Sequence, residues 1–318
     1  MSETKNRNIS DTASGKKSMK WVFWLLAAKV LFILLLAGLT IWIIYAVRAA
    51  NTDGNQANHF DRVLGAGYSN DGKTLWIGTE KKLLFYKKGI WHAEKLKDDE
   101  HATAFLPINS GFIQQNVDRS LHWKTLNQER LISNSVKKDH RVLAVGYATG
   151  RLYNLRQSGS SQILLFSDDG GRKWKDKSLD HLTGTVQALA AAPKNKQLLS
   201  IGTTNGLYVS EDNGVHFQHY LKGYSVTCVS YGFSKQTSLL AGTAGKETEL
   251  YQILPDQKKT INLDMGTVES DNLIQIAQNP VKFGEAAMLT KHGDIYLTEN
   301  GGQNWTILAK KGRALNGR

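Results

Sequence analysis

Three octapeptides in the second half of the chain share one pattern: Ser167-Asp-Asp-Gly-Gly-Arg-Lys-Trp174, Ser210-Glu-Asp-Asn-Gly-Val-His-Phe217 and Thr298-Glu-Asn-Gly-Gly-Gln-Asn-Trp305. Each opens on a hydroxyl (Ser167, Ser210, Thr298) and carries Asp or Asn third (Asp169, Asp212, Asn300). Gly stands fifth (Gly171, Gly214, Gly302) and an aromatic closes the unit (Trp174, Phe217, Trp305). The chemistry explains the spacing. A hydroxyl and a short carboxylate hydrogen-bond the backbone of a tight turn, Gly supplies the positive φ, and the aromatic folds back to seal the hairpin. A strand-like run precedes each copy: Gln162–Phe166, Gly206–Val209 and Asp294–Leu297.

Around these turns the chain divides into units of about 40 residues, beginning near Phe60, Glu100, His140, Thr183, Tyr224 and Gly266. The clearest unit predicts four strands, at Val186–Pro193, Gln197–Thr203, Gly206–Val209 and His216–Tyr220, and the first unit echoes it at Gly67–Thr79, Leu83–Tyr86 and Gly89–Trp91. Four short strands per repeat of about 40–50 residues is the pattern of a propeller blade. The expected fold is therefore all-β: a six-bladed β-propeller over 59–312, or seven-bladed if the terminal strands share a blade, with a short C-terminal tail at 313–318.

The octapeptides resemble the Asp-box, or BNR repeat, of sialidases, sortilin-type domains and photosystem II assembly factors, all β-propellers. The match is good at Ser167–Trp174; Asn300 replaces the acid in the third copy and Phe217 the Trp in the second. The sortilin-type and assembly-factor likeness implies protein recognition, with the box acids as turn residues rather than catalysts. The first unit also resembles bacterial glycosyl-hydrolase-like BNR proteins. At His59-Phe-Asp-Arg-Val-Leu-Gly65 it lacks the second His and the Gly of their opening motif, which puts any function tied to those residues in doubt.

Upstream of the repeats, Val30–Val47 is an uncharged apolar run of 18 residues, and Trp21–Ala28 extends it beyond Lys29. A bilayer core of ~30 Å needs about 20 such residues, so a transmembrane signal-anchor helix is expected over 21–47. Lys29 can snorkel toward the headgroups, with Trp21 and Trp24 as interfacial anchors. Basic residues before the helix outnumber those closely following it, which places a disordered 1–20 tail in the cytoplasm. A 48–58 linker and the propeller then lie outside the cytoplasmic membrane. A cleaved signal peptide is the competing reading, since Val47-Arg48-Ala49 offers small residues near a cleavage position. The run is longer than an ordinary h-region, however, and follows a polar tail.

The net charge of +12 is partly a property of that end, because residues 1–48 hold seven of the basic groups and two of the acids, leaving +7 beyond. Both signs are scattered there, so a solvated surface is expected and no nucleic-acid partner. With one cysteine, Cys228, no intrachain disulfide can form.

Catalytic signals are sparse. Arg62 falls in the first unit and Arg141 and Arg151 in the third, but the Arg-Ile-Pro motif of sialidases is absent and no Tyr/Glu nucleophile pair is evident. The densest acidic cluster, Asp98, Asp99 and Glu100, falls in an expected inter-blade loop. His216 and His219 are three apart on a predicted strand and point to opposite faces, which does not suit a metal. Gly146–Gly150 reads as a turn, and no Gly-x-Ser-x-Gly elbow occurs. Trp123, Trp174 and Trp305 read as core. The remaining surface is the flat face around the central channel, where Arg151, Tyr153, Lys246 and Glu247 are candidate lining residues. The sequence thus points to a single-pass membrane-anchored scaffold for a protein or glycan partner, without cofactor or metal. The alternative is a glycosidase-like hydrolase on the sialidase fold.

Overall fold

The structure, a computed structural model, describes residues 23–43, 60–95, 101–133, 144–158, 161–179, 181–245, 248–265 and 271–315. Trp21, Asp98, Asp99, Glu100, Arg141, Lys246 and Glu247 lie outside these residues. Two units are distinguished, with the division at Asp53 and Gly54. In the first, Phe23–Ile43 is one helix, long and apolar enough to cross a membrane. It carries Trp24 and Lys29, and its large apolar side chains are exposed.

The second unit is a six-bladed propeller of antiparallel sheets, each a meander of consecutive strands. The blades span 63–95, 102–133, 144–178, 186–220, 225–263 and 273–314. Their inner strands are Val63–Tyr68, Ala102–Ile108, Ala144–Val145, Val186–Ala191, Ser225–Tyr231 and Leu273–Gln278. Each inner strand packs beside those of its two neighbours, the last returning to the first. Among the described residues there are six sheets and none is shared between the first and last strands, so the ring is six-bladed rather than seven-bladed. Arg313–Ala314, in the segment expected as tail, instead adds a short fifth strand to the last blade.

Middle strands read as continuous apolar runs because each blade is covered on both faces. In blade 4, Leu199–Thr203 and Gly206–Ser210 are buried at every position. The apolar clusters lie between blades rather than within them, as where Leu164, Leu199 and Ile201 join blade 3 to blade 4. Close approach is made possible by a recurring Gly-Thr pair at the end of the second strand. A Cβ on Gly78 would fall 2.2 Å from the Phe105 ring, and one on Gly202 2.8 Å from the Val226 carbonyl. The paired threonine ties the following turn: the Thr79 hydroxyl donates to Lys82 O at 2.9 Å and that of Thr203 to Gly206 O at 3.1 Å.

Five inner strands shift register near their start, between Val63/Gly65, Ala102/Ala104, Val186/Ala188, Val226/Cys228 and Leu273/Gln275. Each bulge inserts one residue and bends the strand around the channel. The ring closes through side chains and single backbone bonds. Phe60 N donates to Gly312 O at 2.7 Å, Trp91 Nε1 donates to Leu308 O at 3.2 Å, and the Phe60 and Trp91 rings lie 5.2 Å apart.

Candidate functional site

Because the strands of each blade alternate in direction, the loops after the first and third strands emerge on one face of the ring, here the turn face. All three octapeptides lie on it, joining third to fourth strands in blades 3, 4 and 6. Their geometry repeats closely. The opening hydroxyl accepts from the N–H of the fifth-position glycine, Gly171 to Ser167 at 2.9 Å, Gly214 to Ser210 at 2.7 Å and Gly302 to Thr298 at 2.9 Å. The third residue accepts from the seventh N–H: Lys173 to Asp169 at 2.8 Å, His216 to Asp212 at 2.8 Å and Asn304 to Asn300 at 2.9 Å. The glycines hold φ of 85°, 80° and 91°, values costly for any residue with a Cβ. Trp174 folds back to donate from Nε1 to Gly171 O at 2.9 Å, while the Phe217 ring meets Tyr208 edge-on at 6.3 Å.

These bonds set the acidities. For Asp169 the N–H of Lys173 is the largest influence and holds the carboxyl below its ordinary value. For Asp212 partial burial pushes upward, but the His216 N–H and ring, the Ser210 hydroxyl and the Val215 N–H outweigh it and hold the group down. Such carboxylates are ionised turn clamps, unsuited to donating a proton near neutrality. A related clamp that the sequence reading did not single out sits between the first two strands of blade 1. There Ser69 donates to Asp71 at 2.6 Å and Asp71 accepts from Lys73 N at 3.1 Å. Its signal was the Ser-x-Asp-Gly spelling at Ser69–Gly72.

Between blades 3 and 4 the turn face carries a polar latch. Arg151 grips Asp168 with two bonds, Nε to Oδ1 and Nη2 to Oδ2, both 2.9 Å, and reaches Asn213 Oδ1 at 3.2 Å. Lys196 Nζ adds a contact to Asp168 Oδ1 at 2.7 Å. Arg151, then Lys196, hold the Asp168 carboxyl far below its ordinary range. Tyr153, expected on the open face, is instead buried, its hydroxyl donating to Lys196 O at 3.2 Å. The histidines are separated too. His216 Nδ1 lies 2.6 Å from Asp212 outside any strand, and His219 stacks on Tyr208 at 4.2 Å. Among the described residues no cluster of metal-ligand side chains occurs.

The ring axis encloses a cavity of ≈370 Å³, walled by the inner strands of all six blades. Leu64, Leu106, Val145, Leu189, Val229 and Ile274 contribute, one from each blade. On the turn-face side it is lined by Tyr147, whose hydroxyl donates to Tyr68 O at 3.1 Å and whose ring meets Phe233 edge-on at 4.9 Å. Burial pushes the Tyr147 phenol up to about 12 and the Cys228 thiol, in the same wall, also up to about 12. Among the described residues no Asp, Glu, His, Lys or Arg lines this cavity.

No family model matches the chain, and no curated protein matches it in sequence. Solved structures match in fold. A GH74 enzyme from Niastella koreensis superposes with a TM-score of 0.54 at 13% identity, covering 79% of this chain and 46% of that one. The GH74 xyloglucanase from Xanthomonas campestris gives 0.50 at 14% identity, covering 79% and 46%. The structure of YCF48 bound to D1 peptide gives 0.49 at 14% identity, covering 78% and 81%. The chain spans under half the length of the GH74 structures. At these identities the GH74 likeness is one of fold.

Proposed function

We propose that this chain is a membrane-anchored propeller that recognises a protein partner, as a binding or assembly scaffold outside the cytoplasmic membrane. The observation that carries the reading is the axial cavity, whose walls hold no ionised side chain among the described residues. Glycoside hydrolysis requires two carboxyl groups facing each other across a cleft, about 5–10 Å apart, one of them with a raised pKa. Here Asp169 and Asp212 are consumed by their own turns, and Asp168 by Arg151 and Lys196. What the turn face offers at blades 3 and 4 is a polar surface of hydrogen-bonded turns, suited to recognition. We read the octapeptides as Asp-boxes on the strength of their repeated clamp, and the Phe23–Ile43 helix as the anchor, with Trp24 and Lys29 near its cytoplasmic end.

The test is affinity capture of the tagged full-length chain from detergent-solubilised membranes, beside a chain beginning at residue 51. Both are also assayed on a glycoside panel that includes xyloglucan. One protein captured by both forms, without hydrolysis, supports the reading. Hydrolysis by the soluble form with no captured protein replaces it with the glycosidase.

A further inference from the structure

Two neighbouring turns of the turn face, one from blade 6 and one from blade 1, end in exposed apolar side chains flanked by lysines. Pro280-Val281-Lys282-Phe283-Gly284 presents Val281 and Phe283 at 55% and 64% exposure. Lys87-Lys88-Gly89-Ile90 presents Ile90 at 60%, with Lys87 and Lys88 both exposed. The blade 6 turn is braced against blade 1 at Gly72, in the turn between the first and second strands of that blade. Asn279, buried at the root of the blade 6 turn, donates from Nδ2 to Gly72 O of blade 1 at 2.8 Å. Its Oδ1 accepts from Val281 N at 2.9 Å and Lys282 N at 3.1 Å. A firmly held backbone thus lifts bare apolar tips into solvent.

Lys282 is paired with Glu285 at 2.8 Å and Lys73 with Asp71 at 3.7 Å, so the local excess is carried by Lys87 and Lys88 against the exposed Glu299. Apolar tips among lysines are the composition of a surface that enters a lipid headgroup layer, where the tips partition inward and the ammonium groups meet anionic lipid. The same chain carries a helix able to cross a membrane, which keeps the propeller near lipid at high effective concentration, so a weak contact suffices.

The geometry points to the Val281–Phe283 and Lys87–Ile90 turns as a second membrane contact, one that docks the propeller on an anionic bilayer surface. It rests on the anchor reading above and goes beyond partner recognition, giving the blade 6 and blade 1 sector of the turn face to lipid and leaving the turns of blades 3 and 4 to the partner; co-elution with the disc tests the anchor separately. The test uses the full chain with Phe283→Cys, the native Cys228 being buried, labelled with a polarity-sensitive fluorophore and reconstituted in nanodiscs. The discs hold phosphatidylcholine alone or an equimolar mixture with phosphatidylglycerol; co-elution with the disc reports helix insertion independently. Val281→Cys is a second reporter, and Val117→Cys, exposed in the loop between the second and third strands of blade 2, reports the opposite face. The expected result is a blue shift at 283 and 281 in the anionic discs only. It should be lost at ~1 M salt, where the Debye length falls to about 3 Å, and in Lys87→Glu/Lys88→Glu. A label at 283 as wet in anionic discs as in neutral ones overturns the proposal and leaves the face to a protein. An equal shift at 117 overturns it as well.

Discussion

In blade 4 the hairpin between the third and fourth strands is closed by Ser210 and Asp212 accepting backbone N–H groups. In blade 2 the equivalent hairpin has Lys124 where Ser210 stands. Lys124 is buried and its ammonium lies 3.3 Å from Glu129, which also meets His122 at 2.7 Å. Leu121 and Leu207, three residues before each of these positions, are both fully buried against a neighbouring blade. The frame is therefore common and the fastening differs: a hydroxyl and an ionised carboxylate accept the turn N–H groups in blade 4, while in blade 2 the Thr125 hydroxyl accepts from Asn127 N and Gln128 N and the Lys124–Glu129 ion pair joins the two strands. A propeller blade asks for apolar middle strands in register; how its outer hairpin is fastened is a local choice.

Deleting the frame should act alike in both blades. Leu207→Ala and Leu121→Ala should each destabilise by about 3 kcal/mol in urea unfolding of the detergent-solubilised chain. A large difference between them would show that the blades are not equivalent. The fastenings should separate next. Glu129→Ala strips the buried Lys124 of its carboxylate and should lose about 2 kcal/mol. Gly214→Ala forces a Cβ onto a φ of 80° and to 3.3 Å from Leu164, for a loss of about 1–2 kcal/mol. Ser210→Ala should lose about 1 kcal/mol by the same assay.

The smallest expected effect concerns acid. Asp169 and Asp212 have folded-state values below the unfolded value of about 3.9, so their contribution is complete above that pH and fades as pH falls through the folded values. Asp169→Asn/Asp212→Asn should flatten the fall of stability below pH ~4. An unchanged acid limb would assign that fall to blade 2 and the latch instead.

This contrast also explains what could be read in advance. The octapeptide turns were legible because every donor and acceptor lies within eight residues, and the unit spacing followed from them. Blade 2 carried no such spelling, since Lys124 and Glu129 look like ordinary surface charges until the strands around them are in place. The Gly-Thr pairs at Gly78-Thr79 and Gly202-Thr203 were in plain view, yet their role depends on the neighbouring blade. Arg151 was singled out as a face residue, but its partners Asp168, Lys196 and Asn213 come from three other loops. The seam between Trp91 and Leu308 joins residues 217 apart, a distance no local pattern encodes.

That seam has a mechanical consequence. In propellers whose terminal strands share a sheet, opening the ring must shear a ladder of backbone hydrogen bonds. Here each blade is a contiguous stretch of chain, and the ends meet through Phe60, Trp91 and Gly312. Tension applied at Phe60 would be borne by these contacts before it reached any intact sheet. The ring would part at its clasp and unwind one blade at a time.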